Sequence, residues 1–281
     1  MIYIGVTGWG DHDSLYPSRT APRDKLKEYG AHFPIVEVDA AFYAIQPLRN
    51  ATKWVAETPE NFQFIVKAYQ GMTGHQRGEI PFESREEMFA AFKDSLQPYI
   101  EKKKLAMALF QFPPWFDCKR ENIDYLRWVK KEMDSIPCAL EFRHQSWYSA
   151  AFWQKTIDFL KQEKWIHTIC DEPQSGQGSI PVVPEVTRSD KVLVRFHGRN
   201  VYGWQKKSDE NWREVRYLYR YNQEELLEWA TALRQLEEKA TNVFVLFNNN
   251  SGGDAADNAK EMIELLGIEY QGLAPRQLDL F

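Results

Sequence analysis

Short, almost wholly apolar runs alternate along the chain with longer stretches in which apolar residues recur every three or four positions. The apolar runs are Ile2 to Thr7, Ile35 to Val38, Phe62 to Val66, Leu105 to Phe112, Ile136 to Phe142, Trp165 to Cys170, Val192 to Phe196 and Val243 to Phe247. Their length and β-branched content predict buried strands. The intervening stretches, Arg23 to Tyr29, Leu48 to Glu57, Arg85 to Glu101, Asn122 to Met133, Ala150 to Gln162, Gln223 to Glu238 and Ala255 to Leu266, predict helices. Ser84 with Glu87, and Asn222 with Glu225, have the spacing of capping boxes. Strands that are apolar on both faces and separated by helices require a parallel sheet covered on its outer side. Eight such units predict an α/β fold, a single-domain (β/α)8 TIM-type barrel over residues 1–270, followed by a tail, 271–281. No Gly-x-Gly-x-x-Gly follows a strand, which argues against a dinucleotide fold. The sixth unit is the exception to the helical rhythm: Glu172 to Asp190 carries Pro173, Gly176, Gly178, Pro181 and Pro184 and reads as an irregular loop. A long insertion, His197 to Tyr221, follows the seventh strand.

Composition narrows the classes. The 281 residues, 43% apolar and 27% charged, exclude a disordered or fibrous chain, and a barrel of about 250 residues is ordinary for one domain. A formal charge of -5, from 35 Lys and Arg against 40 Asp and Glu, excludes a globally basic nucleic-acid coat but leaves room for a local cationic cleft. The first residues carry no positive leader, and no run approaches the roughly 20 apolar residues of a membrane span, so a soluble, cytoplasmic protein is expected. Cys118, Cys138 and Cys170 are odd in number and widely spaced, which suggests neither a disulfide framework nor a thiolate zinc site.

In a barrel, chemistry belongs where strands end and the following loops begin. Those ends hold Thr7 and Trp9, Glu37 and Asp39, Lys67, Gln111, Glu141 with Arg143, Asp171, Arg195 with His197, and Asn248 with Asn249. Alternation along a strand puts Glu141 and Arg143 on one side, and likewise Arg195 and His197. Charges at the tips of apolar runs are either paired with each other or reserved for a ligand. Both readings stay open for Glu141 with Arg143. A divalent metal held by Glu37, Glu141, Asp171 and His197 is a further reading, although no histidine spacing specifies one and no cofactor is predicted. Trp9, Tyr43, Trp115, Trp147, Tyr202 and Trp204 fall in predicted loops, where they can stack on sugars or bases or cover the barrel end.

Taken in order, Gly5-Val6-Thr7-Gly8-Trp9, Glu37-Val38-Asp39-Ala40-Ala41-Phe42-Tyr43, Phe62 to Lys67, Gln111-Phe112-Pro113-Pro114, Glu141-Phe142-Arg143 with Ser146-Trp147, Arg195-Phe196-His197-Gly198 and Phe247-Asn248-Asn249 resemble the YecE-like family, domain of unknown function 72. The resemblance covers essentially the whole chain and implies a TIM-type barrel. The chain departs from the family pattern at Asp39 and Ala41, where Asn and Thr are usual. The terminal Gln277-Leu278-Asp279-Leu280-Phe281 is similar to the pentapeptide by which bacterial DNA polymerases and mismatch-repair proteins dock on the replication sliding clamp. There Leu280 and Phe281 would fill an apolar pocket and Gln277 would hydrogen-bond at its edge. A tail folded back on the barrel is the alternative.

The expected function is a hydrolase-type enzyme acting on a phosphate- or sugar-bearing molecule or a nucleic-acid end. Glu141, His197 and Glu37 are the expected catalytic groups. Lys67, Arg143, Arg195, Trp9, Tyr43, Gln111, Trp147, Asn248 and Asn249 are the expected substrate contacts, and the tail is the clamp contact. A non-catalytic adaptor joined to the clamp is the first alternative. A carbohydrate hydrolase using Glu37 and Glu141 as its carboxylate pair is the second.

Overall fold

The computed structural model describes residues 1–18, 20–205 and 215–275. Eight parallel strands close on themselves in sequence order: β1 (Ile2–Thr7), β2 (Ile35–Val38), β3 (Gln63–Lys67), β4 (Leu105–Gln111), β5 (Cys138–Glu141), β6 (Ile166–Asp171), β7 (Lys191–Phe196) and β8 (Asn242–Phe247). The chain is therefore the (β/α)8 barrel its hydrophobic rhythm predicts. Helices Leu48–Glu57, Arg85–Glu101, Arg120–Met133, Trp153–Gln162, Gln223–Lys239 and Ala255–Leu266 pack outside the sheet, and only a short 3-10 turn, Gly176–Gly178, lies between β6 and β7. The proline- and glycine-rich composition of that segment leaves no apolar face for a helix. The Asn222 and Glu225 capping box is formed reciprocally. Among the described residues no helix is long and apolar enough to cross a membrane.

Two separate apolar layers follow from strand alternation. Phe64, Val66, Phe110, Leu140, Val194, Phe196 and Phe247 face the helices. Ile35, Ile65, Met107, Leu109, Ala139, Ile166, Leu193, Phe244 and Leu246 fill the lumen, with Tyr3 at its lower end. Continuing each lumen set by two residues toward the C-terminal ends reaches Glu37, Lys67, Gln111, Glu141, Arg195 and Asn248. The floor of the mouth is thus polar because the same alternation that fills the barrel with aliphatics ends in charged residues.

At the opposite face the chain returns to the barrel. The Tyr270 hydroxyl accepts from Ile4 N and donates to Ile2 O, and Ala274 N donates to Gly30 O.

Candidate functional site

The floor of the mouth is a buried ion network. Arg195 donates from Nη1 to Glu141 Oε2 at 2.7 Å and from Nη2 to both Glu37 oxygens at 2.9 and 2.7 Å. Arg143 places Nη2 2.6 Å from Glu141 Oε1 and Nη1 against Glu172. All five side chains are buried. The pairing expected of Glu141 with Arg143 is therefore present, and Arg143 and Arg195, expected to hold an anion, are instead occupied by carboxylates. Burial works against ionising Glu141, yet Arg195, Arg143 and the contact with His197 hold its carboxyl well below the usual range. Glu172 was not legible as a site residue. Burial pushes it up to about 7 against the pull of Arg143 and the hydrogen bond from Ile180 N. The network is not closed on itself: Glu141 Oε1, Arg143 Nε and Arg195 Nε are buried without an aligned hydrogen-bond partner. Structural ion clusters usually satisfy such atoms.

His197 lies above this floor, with Nε2 2.9 Å from Arg143 Nη2 and 3.4 Å from Glu141 Oε1, and Nδ1 2.9 Å from the Asn248 amide. Burial and the adjacent Arg143 hold it well below its ordinary pKa, so it is a neutral imidazole accepting from Arg143. It is fully enclosed, with Trp204 and Tyr217 over it. Trp204 in turn packs between two guanidiniums, Arg143 at 5.3 Å and Arg216 at 4.2 Å from its ring centre. These side chains roof the β5 to β8 sector.

The β2 to β4 sector is open. Lys67, half-buried at the end of β3, places Nζ 4.7 Å from the Phe42 ring centre and has no ion-pair partner among the described residues. Burial lowers its pKa, with Glu37 opposing and Arg195 adding to the shift. Asp39 is raised by burial and by Glu37, against Lys67. Around this sector Tyr43 and Trp115 are exposed, each more than half, and the rings of Phe42, His75 and Trp115 contact one another in sequence. Gln111 is half-buried at the end of β4.

Several expected contacts lie elsewhere. Trp147 is not on the rim: it stacks on Phe142 at 4.0 Å in the outer core, and its Nε1 donates to Phe116 O. Asn249 is buried and donates to Tyr219 O and Asn258 Oδ1, fixing the loop after β8. Trp9 is half-buried with its ring against Trp54. Asp171 points outward, accepting from Arg199 and from Trp229 Nε1, so the expected metal set of Glu37, Glu141, Asp171 and His197 does not assemble. Glu141, Cys170 and His197 do bring one donor atom each within 4.8 Å of one another. A divalent ion there would displace Arg143 from Glu141 and His197 and would itself deprotonate the Cys170 thiol. Gln277, Leu278, Asp279, Leu280 and Phe281 lie outside the described residues.

Two cavities flank the roofed sector. One, of about 410 Å³, is walled by Glu172, Pro173, Pro181, Val182, Arg199 and Val201, and the other, of about 360 Å³, by Pro114, Gly178, Trp204 and Arg216. Both are open clefts, and neither is lined by Lys67.

A parallel barrel with a charged, partly roofed C-terminal mouth has the architecture on which TIM-type enzymes build their sites. The chain belongs to the DUF72 family, described as a protein of unknown function, whose model matches residues 3–279. It is 68% identical over 282 residues to the UPF0759 protein YunF of Bacillus subtilis (strain 168), with both chains covered in full. Among solved structures it is similar to a DUF72 family protein of Enterococcus faecalis V583, at 41% identity and a TM-score of 0.92, covering 99% of this chain and 100% of that one. A DUF72 family protein of Thermotoga maritima MSB8 matches at 31% identity and a TM-score of 0.81, covering 95% and 100%.

Proposed function

We propose that the protein is a hydrolase-type enzyme acting on a phosphate-bearing substrate, such as a nucleotide or a nucleic-acid end, at the open sector of the barrel mouth. The observation that carries this reading is Lys67. Arg143 and Arg195 spend their charge on Glu37, Glu141 and Glu172, whereas the Lys67 ammonium makes no contact ion pair among the described residues, with Glu37 and Asp39 acting on it only from a distance. A cation without a contacting counter-ion, over an aromatic ring and in the sector of exposed Tyr43 and Trp115, suits an anion attached to a flat ring system. The buried pairs beneath it supply a rigid field and exclude water from one side of the bound group. The carbohydrate-hydrolase reading is less favoured, because Glu37 and Glu141 both accept from Arg195 and neither is placed to donate a proton.

Calorimetry with inorganic phosphate and a panel of phosphomonoesters, phosphodiesters and nucleotides tests the reading. Lys67→Ala is expected to weaken binding at least tenfold, in line with about 1.5 to 3 kcal/mol for a charged hydrogen bond. Equal binding by wild type and Lys67→Ala would remove Lys67 from the site. Binding without turnover of any panel member would leave the non-catalytic adaptor.

Recruitment to the sliding clamp through Gln277 to Phe281 is proposed as a second, independent property, supported by the pentapeptide at the end of the chain. A peptide with that sequence should bind the clamp, and Phe281→Ala should abolish the interaction. Absence of binding at millimolar peptide would exclude it.

A further inference from the structure

Lys67 is held differently from Lys104 and Lys191, which stand at the opposite end of the barrel. Lys104 Nζ donates to Val55 O and Thr58 O, both at 2.8 Å, and to Thr58 Oγ1 at 3.1 Å, and Lys191 Nζ donates to Ala106 O at 2.7 Å. Lys67 makes no hydrogen bond among the described residues, and its Nζ is not sealed from solvent. What lies against it is the Phe42 ring, 4.7 Å from Nζ. His75 packs on the same ring at 5.1 Å and is itself held by the loop after β3, where His75 N donates to Gln70 O and Tyr125 OH donates to Met72 O. The apolar wall beside the amine is therefore a fixed part of the mouth.

This setting changes the chemistry open to Lys67. A hydrogen bond to an oxygen acceptor favours an ammonium by about 1.5 to 3 kcal/mol, whereas a ring face at such a site contributes about 0.5 to 1. Exchanging water for a phenyl ring thus disfavours the charged form. The charged and titratable groups acting on Lys67 are Glu37 from β2, Arg195 from β7, Glu141 from β5 and the Tyr217 hydroxyl from the loop after β7. Burial, the largest influence, and the Arg195 guanidinium lower its pKa, and the other three oppose them. Asp39 at the end of β2 and His75 also feel its charge. An amine that is partly desolvated, set near a second cation and open to solvent has the attributes of a nucleophilic lysine.

From this placement we infer that Lys67 is a covalent-bonding residue, whose amine forms an imine with a small aldehyde or ketone entering the open sector. The ammonium first gives one proton to solvent. The nitrogen lone pair then bonds to the carbonyl carbon, the π electron pair moves to the oxygen, and a proton passes from nitrogen to that oxygen. The hydroxyl takes a second proton from solvent and leaves as water with the carbon–oxygen electron pair, while the nitrogen lone pair closes the double bond. An ammonium and a carbonyl compound have become an iminium and one water, with no oxidant or reductant. Glu37 and Glu141, which attract the ammonium from a distance, attract the iminium in the same way. The inference goes beyond the phosphate reading and does not depend on it, since the iminium keeps the positive charge at the same point.

The test is reductive trapping on the full chain. Glycolaldehyde and glycolaldehyde phosphate are added with cyanoborohydride at pH 7, and the rate of adduct formation at each lysine is read by peptide mass spectrometry. A pKa one unit lower raises the amine fraction about tenfold, so Lys67 is expected to be labelled about tenfold faster than Lys27 and Lys131, which are exposed. The Lys67→Arg variant keeps a cation and cannot form an imine; it should lose the adduct at that position and retain binding of inorganic phosphate by calorimetry. Labelling of Lys67 no faster than that of Lys27 and Lys131 overturns the imine and leaves the phosphate reading intact. Rapid labelling of Lys67 in a protein that binds no inorganic phosphate sustains the imine and removes the phosphate reading. The wild-type comparison of rates decides the matter even if Lys67→Arg fails to fold.

Discussion

Arg195 shows how much of the mouth depends on single side chains. Its guanidinium is fully buried and carries the charge of two carboxylates, Glu37 and Glu141. Replacing it with Met strands the buried Glu37 and leaves Glu141 with Arg143 alone. Such a loss is expected to cost about 3 to 5 kcal/mol, read as a fall in the urea midpoint with an unchanged slope. A loss under about 1 kcal/mol would mean that the carboxylates already have other means of neutralisation. Alternation made the side of the strand legible: Glu141 with Arg143, and Arg195 with His197, do share the lumen. Their partners were not legible, because Arg195 and Glu37 are separated by 158 positions and only barrel closure brings them together.

Among the elements, β1 is tightly constrained. Gly5 sits opposite Ile35, and a Cβ at Gly5 would lie 2.2 Å from Ile35 O. The Tyr29 hydroxyl bridges the same seam, accepting from Val6 N and donating to Ile35 O. Gly5→Ala must therefore push two paired strands apart, at a cost of about 3 kcal/mol. A melting temperature within about one degree of the wild type would refute this, since 1 kcal/mol alone moves a chain of this size by about 2 °C or more. Strand and helix positions were readable from periodicity to within a few residues. Strand β5 is shorter than its apolar run because Ile136 and Phe142 pack outside the ladder with the outer core. The loop after β3 left no such trace, since a turn held by backbone and hydroxyl bonds has no hydrophobic period to betray it.

For the whole molecule, the eight-unit rhythm determined the barrel, and the asymmetry of its mouth came from loops whose packing is not periodic. One half is roofed by Trp204 and Tyr217 and the other carries exposed Tyr43 and Trp115. The closing segment adds a directional consequence. Tyr270 and Ala274 dock beside the starts of β1 and β2, on the face away from the mouth, and a single residue, Arg276, stands between Pro275 and the terminal pentapeptide. The described chain therefore ends at the base of the barrel, on the side opposite the candidate site.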